Sequence, residues 1–180
     1  IVTSNDLLKR FTNPKAHVSH NSGENEWYTP SVIIGAAREV LGGIALDPAS
    51  CAEANEVVQA DRYYDAETNG LMQPWVGTVW LNPPYSQPLI AQFINKLLAE
   101  RDNIKAAITL TNNGTETGYG QSLLALCDAV CFPDKRIKFT NGDGESTGSP
   151  LQGQMICYFG SDRDRFRQCF QFRGRVLYDA

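Results

Sequence analysis

Thr78-Val79-Trp80-Leu81-Asn82-Pro83-Pro84-Tyr85-Ser86 is the stretch on which the fold turns. Its first four residues are β-branched, aromatic or aliphatic, the composition of a buried strand. The strand must stop at Pro83-Pro84, because proline brings no ladder donor and two in succession cannot sit inside a central strand. Gln87-Pro88 follows, and then Leu89, Ile90, Phe93, Ile94, Leu97 and Leu98 recur at the spacing of one helix face. The order is strand, sharp turn, amphipathic helix.

Upstream, Thr29-Pro30 reads as a helix start, with Thr29 as N-cap and Pro30 in the first helical position. Ile33, Ala36, Ala37, Val40 and Leu41 make its buried face, and Gly42-Gly43 close it. Residues 44–46 read as a short strand stopped by Asp47-Pro48, 52–58 as a brief helix and 62–64 as a second strand. Downstream come a strand at 106–110, a helix at 121–127 and a strand at 129–132. Residues 136–139 and much of 154–159 alternate polar with apolar and are expected to form a closing strand pair, around a Gly-, Ser- and Asp-rich loop at 141–149. Strands alternating with helices predict an α/β domain: a mostly parallel sheet, helices on both faces, ending in an antiparallel strand pair. In such sheets ligands sit at the carboxyl ends of the strands. Asp47 and Asn82 both fall at such ends.

At 180 residues, with 42% hydrophobic and 10% aromatic side chains, the chain has the size and composition of one globular domain. Residues 1–26, polar apart from a helical piece at 6–11, read as an extension or linker ahead of a domain over 27–180. No apolar run is long enough to span a bilayer and no signal peptide opens the chain, so no membrane partner and a cytoplasmic location are expected. The first residue is Ile1, so the chain is expected to be a processed or excised piece. An upstream domain and a homo-oligomer both stay open. The five cysteines (51, 127, 131, 157, 169) are odd in number and form no CxxC, which points to reduced core thiols rather than disulfides or zinc. His17 and His20 lie in a polar stretch without metal-site spacing, and no metal is expected.

The net charge of −4 is uneven. Residues 1–132 hold eight Lys/Arg against fourteen Asp/Glu, and residues 133–180 hold eight against six. The basic C-terminal third is compatible with phosphate contacts, and equally with an ordinary solvated surface.

Asn-Pro-Pro-Tyr at a strand end has a specific chemical use. The exocyclic amine of adenine is a poor nucleophile, because its lone pair is delocalised into the ring. Two acceptors gripping its two N–H bonds draw the nitrogen toward a tetrahedral state and localise that pair. The Asn82 side-chain oxygen is one such acceptor and the Pro83 carbonyl the other. Pro83 and Pro84 fix the backbone that presents them, and Tyr85 offers a face on which a base can stack. This is catalysis by positioning and electrostatics, with no strong base. The bland alternative for the four residues is a simple turn.

From about Ser19 to the C-terminus the sequence resembles the phage and prophage DNA N6-adenine methyltransferases of the Dam type. The matching stretches are Asn25-Glu26-Trp27-Tyr28-Thr29-Pro30, Leu46-Asp47-Pro48-Ala49-Ser50, Asn69-Gly70-Leu71, Trp80-Leu81-Asn82-Pro83-Pro84-Tyr85-Ser86, Thr115-Glu116-Thr117 and Pro150-Leu151-Gln152-Gly153-Gln154. The resemblance implies a single Rossmann-like methyltransferase domain over 27–180, with S-adenosylmethionine as cofactor and DNA as partner, in the cytoplasm of a bacterial host. It implies that Tyr28, Thr29 and Pro30 help hold the methionine end of the cofactor, that Thr29 and its helix start receive the carboxylate, and that Asp47 faces the ammonium. Ala49 and Ser50 line the same loop, and Asp65 and Asn69 are candidates for the adenosine end. Ser86, Asn113, Thr115, Lys135, Arg136 and Lys138 are the candidate DNA contacts.

Two departures stand out. No glycine-rich GxGxxG loop exists; Asp47-Pro48-Ala49-Ser50 takes its place, and the glycines at 142–148 do not lead into a helix. After Thr115-Glu116-Thr117 comes Gly118-Tyr119-Gly120, where the family pattern has a bulky aromatic. No target-recognition domain follows the tetrapeptide, so DNA sequence preference falls to loops at 112–119 and 141–149, to a partner, or is low. The alternatives are another planar amine (cytosine N4, RNA adenine, protein glutamine) or an inactive nucleic-acid-binding relative, which predicts damage at Asn82, Tyr85 or Asp47.

Overall fold

A computed structural model describes residues 28–140 and 152–178. The expectations for the 1–26 extension, His17, His20, residues 25–27, the 141–149 loop and Pro150-Leu151 lie outside the described residues.

Among the described residues seven strands form one sheet: β1 (Leu46–Asp47), β2 (Arg62–Tyr63), β3 (Gly77–Leu81), β4 (Ile104–Asn112), β5 (Ala129–Pro133), β6 (Gln154–Phe159) and β7 (Gly174–Leu177). Their order is β2-β1-β3-β4-β6-β5-β7. The first four in that order are mutually parallel. β6 enters between β4 and β5 and runs antiparallel to both, so β5 points the same way as β1–β4. β7 is antiparallel to β5 at the far edge. The result is a mixed, mostly parallel α/β sheet.

The helices are α1 (Ser31–Leu41), α2 (Ala52–Val58), α3 (Leu89–Ala99), α4 (Gly118–Leu126) and α5 (Arg163–Phe170). α1 ends as expected: Gly42 takes the left-handed conformation at φ 70°, and the Gly43 N–H returns to the Arg38 carbonyl at 3.1 Å. One face of the sheet is covered by α1 and α5, which bring Ile33, Ile34, Ala37, Phe166 and Phe170 onto Trp80, Ile108 and Ile156. α3 and α4 cover the other, where Ile90, Phe93, Ile94, Leu97 and Leu123 meet Val79, Leu81 and Met155. Trp80 faces one layer and its neighbours Val79 and Leu81 the other, as strand alternation requires. No helix among the described residues is long and apolar enough to cross a membrane.

Two expectations are corrected. Residues 136–139 make no ladder, so they are not half of a closing strand pair. Their alternation is real, with Ile137 and Phe139 buried and Arg136 and Lys138 exposed. The Ile137 N–H, however, goes to the side-chain oxygen of Gln154 at 2.9 Å rather than to a strand. β6 instead pairs with β4 and β5 and is buried at all six positions, because a strand with neighbours on both sides and helices on both faces exposes neither side-chain parity. The second correction concerns Thr29. α1 begins one residue later than expected, Pro30 is its N-cap, and the Thr29 hydroxyl does not cap the helix. α5 and β7 were not anticipated. α5 carries only Phe166 and Phe170 as a buried pair, stacked at 4.7 Å, and is started by Asp162, which accepts the Arg165 N–H at 2.9 Å.

Candidate active site

The carboxyl ends of β1 to β5 share one edge of the sheet, together with the starts of β6 and β7. Leu46 pairs with Val79, which sets Asp47 beside Trp80, two residues before Asn82. At ordinary strand spacing and rise the Asp47 and Asn82 Cα atoms lie about 8 Å apart. Side-chain parity puts both on the sheet face that α1 covers, since Leu46 and Leu81 belong to the opposite layer. Sequence reasoning placed both residues at strand ends, and the structure brings them together there.

The ladder of β3 closes at Leu81, paired with Thr109, so Asn82 and Pro83 stand beyond the last pair. Pro83 is buried and Pro84 exposed. The Asn82 Nδ2 donates to the Thr29 Oγ1 at 3.2 Å, while its Oδ1 is buried and meets no donor. A buried acceptor left unmade is costly, on the order of 1–3 kcal/mol, and invites a ligand donor. Tyr85 sets its ring edge-on to Phe139 at 6.2 Å, and its hydroxyl is also buried without a partner. Burial, and then the neighbouring Tyr119, push the Tyr85 hydroxyl's pKa far up, so the phenol stays neutral. Tyr119, read from the sequence only as a departure from the family pattern, is thus a buried neighbour of Tyr85.

Asp47 is only 3% exposed. Desolvation raises its pKa from 3.8 to about 7, against the lowering effect of hydrogen bonds from the Ala49 N–H, at 3.2 Å, and from Ser50. The ion pairs among the described residues are Lys96–Glu100, Arg101–Asp128 and Arg165–Glu39, so none of those residues sets a cation against Asp47. The Ser50 N–H is tied to the Tyr64 carbonyl at 2.9 Å, which fixes the loop after β1 against the end of β2. Gly70 packs so tightly on this loop that a Cβ there would stand 2.0 Å from the Pro48 carbonyl oxygen. The preceding Asn69, at φ 49°, therefore lies beside the loop, its Oδ1 accepting the Leu71 N–H at 3.2 Å. Asp65 is committed to its own turn: its Oδ1 accepts from the Glu67 and Thr68 N–H groups and the Thr68 hydroxyl, which hold its pKa below the usual carboxylate range. Of the two candidates for the adenosine end, Asn69 is the one placed against the Asp47 loop.

Tyr28 is held by a two-way backbone bridge to Thr140, at 2.8 and 3.0 Å, and its hydroxyl accepts from the Cys51 thiol at 3.9 Å. That bridge closes the route of residues 134–140. The route starts at the end of β5, where the Asp134 N–H meets the Arg173 carbonyl at 2.9 Å, and passes Gln154 at the start of β6. It ends at Tyr28 and Tyr85, having crossed about 15 Å of sheet edge at ordinary strand spacing. Lys135, Arg136 and Lys138 are exposed along it. Ser86 is exposed just past the tetrapeptide. Asn113 and Thr115 are exposed in the turn after β4, where the Asn113 N–H bonds the Gly153 carbonyl at 3.0 Å. Phe139 and Gln154, which fasten this route, are not among the candidate site residues; the signals available were the buried parity of Ile137 and Phe139 and the matching stretch that ends at Gln154. No group of three or more His, Cys, Asp or Glu among the described residues is arranged to hold a metal.

Comparison with known proteins adds independent findings. A family model described as DNA N-6-adenine-methyltransferase (Dam) matches residues 15–168. A DNA N-6-adenine-methyltransferase of Haemophilus phage HP1 (strain HP1c1) is 28% identical over 143 residues, covering 77% of this chain and 80% of that protein. Another, of Escherichia phage T1, is 37% identical over 79 residues, which is 43% of this chain and 31% of the T1 protein. A dimethyladenosine transferase from Plasmodium falciparum superposes with a TM-score of 0.41 at 12% identity, over 79% of this chain and 65% of that one.

Proposed function

The chain belongs to the DNA N-6-adenine-methyltransferase (Dam) family, and from that premise we propose that it transfers a methyl group from S-adenosylmethionine to the N6 amine of adenine in DNA. The observation that carries this reading is the Asn82 Oδ1, a buried acceptor without a partner at a strand end. Adenine offers two N6–H donors. Asn82 Oδ1 takes one and the Pro83 carbonyl the other, which localises the nitrogen lone pair. Held between these two acceptors, N6 would be the nucleophile toward the cofactor's methyl group, and one N6 proton would leave afterwards to solvent. Tyr85, neutral and held edge-on by Phe139, supplies the stacking face.

The residues around Asp47 fit the cofactor's amino-acid end. The buried carboxylate meets no cation among the described residues and suits an ammonium, and the α1 start carries no side-chain cap and suits a carboxylate. Tyr28, Pro30, Ala49 and Ser50 frame that corner, and Asn69 lies toward the adenosine side. Bound there, S-adenosylmethionine supplies an electrophilic methyl group on a sulfonium. The sheet is then that of a Rossmann-like methyltransferase domain, working on DNA in a bacterial host's cytoplasm. Incubating the protein with labelled-methyl cofactor and DNA, RNA or protein, then digesting the product to nucleosides, tests the assignment. Label in N6-methyladenine from DNA is expected; label confined to N4-methylcytosine, RNA or protein would overturn it.

DNA is expected to follow the exposed charges of residues 135–138 toward Asn82, with the exposed Ser86, Asn113 and Thr115 as further contacts. Each phosphate neutralised contributes about −0.9 to the slope of log affinity against log salt. Replacing Lys135 and Lys138 by Gln should lower DNA affinity and flatten that slope by about one to two units, with cofactor affinity unchanged. Fluorescence anisotropy over a salt series reads this directly; identical slopes in both proteins would move the DNA surface elsewhere. The target base must leave the stack to reach Asn82, so a mismatched target adenine should bind more tightly than a paired one.

A further inference from the structure

We propose that Thr29 is a positioning residue for the transfer step, acting through Asn82 rather than through the cofactor. Thr29 is 6% exposed, and its Oγ1 accepts the Asn82 Nδ2–H at 3.2 Å. That bond spans 53 residues and joins the entry of α1 to the end of β3. A threonine hydroxyl can accept from the amide nitrogen or donate to its oxygen; here it takes the nitrogen, which leaves the oxygen to face the base. Here the oxygen is the buried atom without a partner. The reverse orientation would present an NH2 to the NH2 of the base, donor against donor. Thr29 thus removes a rotational freedom that would otherwise be lost during the reaction, which is the usual way a supporting shell contributes to rate.

The sequence has a reason to spend this threonine on Asn82. The helix it precedes has Pro30 as its N-cap, whose carbonyl accepts the Ile33 N–H at 2.9 Å, so the Thr29 hydroxyl is not consumed as a cap. The Tyr28–Thr140 bridge immediately before it fixes the backbone from which the hydroxyl is presented.

This inference rests on the adenine-methylation reading, and its test separates the two. Single-turnover transfer to DNA is measured for wild type, Thr29→Val, Thr29→Ser, Asn82→Ala and the Thr29→Val/Asn82→Ala pair, with cofactor affinity taken by calorimetry and folding by thermal melts. Thr29→Val, nearly the same shape, should slow transfer about tenfold, the scale of one hydrogen bond. Cofactor affinity should stay within about twofold of wild type, and Thr29→Ser should recover most of the rate. In the Asn82→Ala background the valine change should cost nothing further, since residues that act as a unit are not additive. A wild-type rate in Thr29→Val, an equal loss in both backgrounds, or a loss confined to cofactor affinity would each overturn the assignment. A wild-type protein that forms no N6-methyladenine in DNA would overturn the parent reading instead.

Discussion

Asn82→Ala is expected to lower single-turnover methyl transfer by about two orders of magnitude or more, with S-adenosylmethionine affinity nearly intact. The size follows from losing one preorganised acceptor for charge that develops at N6 only in the transition state. The split follows from geometry, because the cofactor's proposed partners, Asp47 and the start of α1, sit on neighbouring elements. Stability should hardly change. The mutation gives up the 3.2 Å bond to Thr29, but it also removes a buried oxygen without a donor. The two effects are each on the order of 1 kcal/mol and opposite in sign. An active site that carries an unsatisfied acceptor is a place where stability has been given up for function. Turnover within about threefold of wild type would remove Asn82 from the chemistry, whatever happened to binding.

The strand–turn–helix around Asn82 was legible because every local signal agreed: β-branched and aromatic residues, a double proline, then a stripe at helical spacing. Ala52–Val58 was read with its bounds, and most other elements to within one or two residues at each end. Residues 136–139 show where such reading stops. Alternation reports which side chains are buried, and for Ile137 and Phe139 it did so correctly. It says nothing about what the backbone bonds to, and here that partner is the Gln154 side chain. β6 failed in the opposite sense, since insertion between two strands erased the exposed parity that a terminal hairpin would show. α5 offered two phenylalanines among charged residues, too little to announce a helix before its place over α1 was known. Thr29 is the instructive case for the site. Thr-Pro before an apolar stripe is a sound N-cap pattern, yet the hydroxyl went to a residue brought near by the sheet. Cross-chain contacts of that kind have no local signature. Asp47 and Asn82 were singled out because strand ends are where a parallel sheet gathers its ligands; their common face followed once β1 was known to lie beside β3.

The other large effect concerns Asp47, and it has two opposite faces. In the protein without cofactor the carboxyl titrates near 7, raised from 3.8 by burial. Between those values the folded chain binds a proton that the unfolded chain has released. Stability therefore falls as pH rises through that window and is lowest above 7, with a span of up to about 4 kcal/mol at about 1.4 kcal/mol per pH unit. Asp47→Asn removes the charge while keeping an oxygen for the Ala49 N–H. The variant should match wild type near pH 4 and melt well above it at pH 8, with no cofactor in either sample. For binding the signs reverse. An ammonium needs the carboxylate, so wild-type affinity for S-adenosylmethionine should weaken toward tenfold per unit as pH drops below about 7, with uptake of the cofactor releasing a proton. Asp47→Asn should lose about 1–3 kcal/mol of binding at pH 8, the scale of a hydrogen bond between charged groups, and its residual affinity should no longer depend on pH. Calorimetry from pH 5.5 to 8.5, in buffers of different ionisation heat, reads both the affinity and the proton. A pH-independent wild-type affinity, or a variant no more stable at pH 8, would make Asp47 a strand terminator and move the cofactor's ammonium elsewhere.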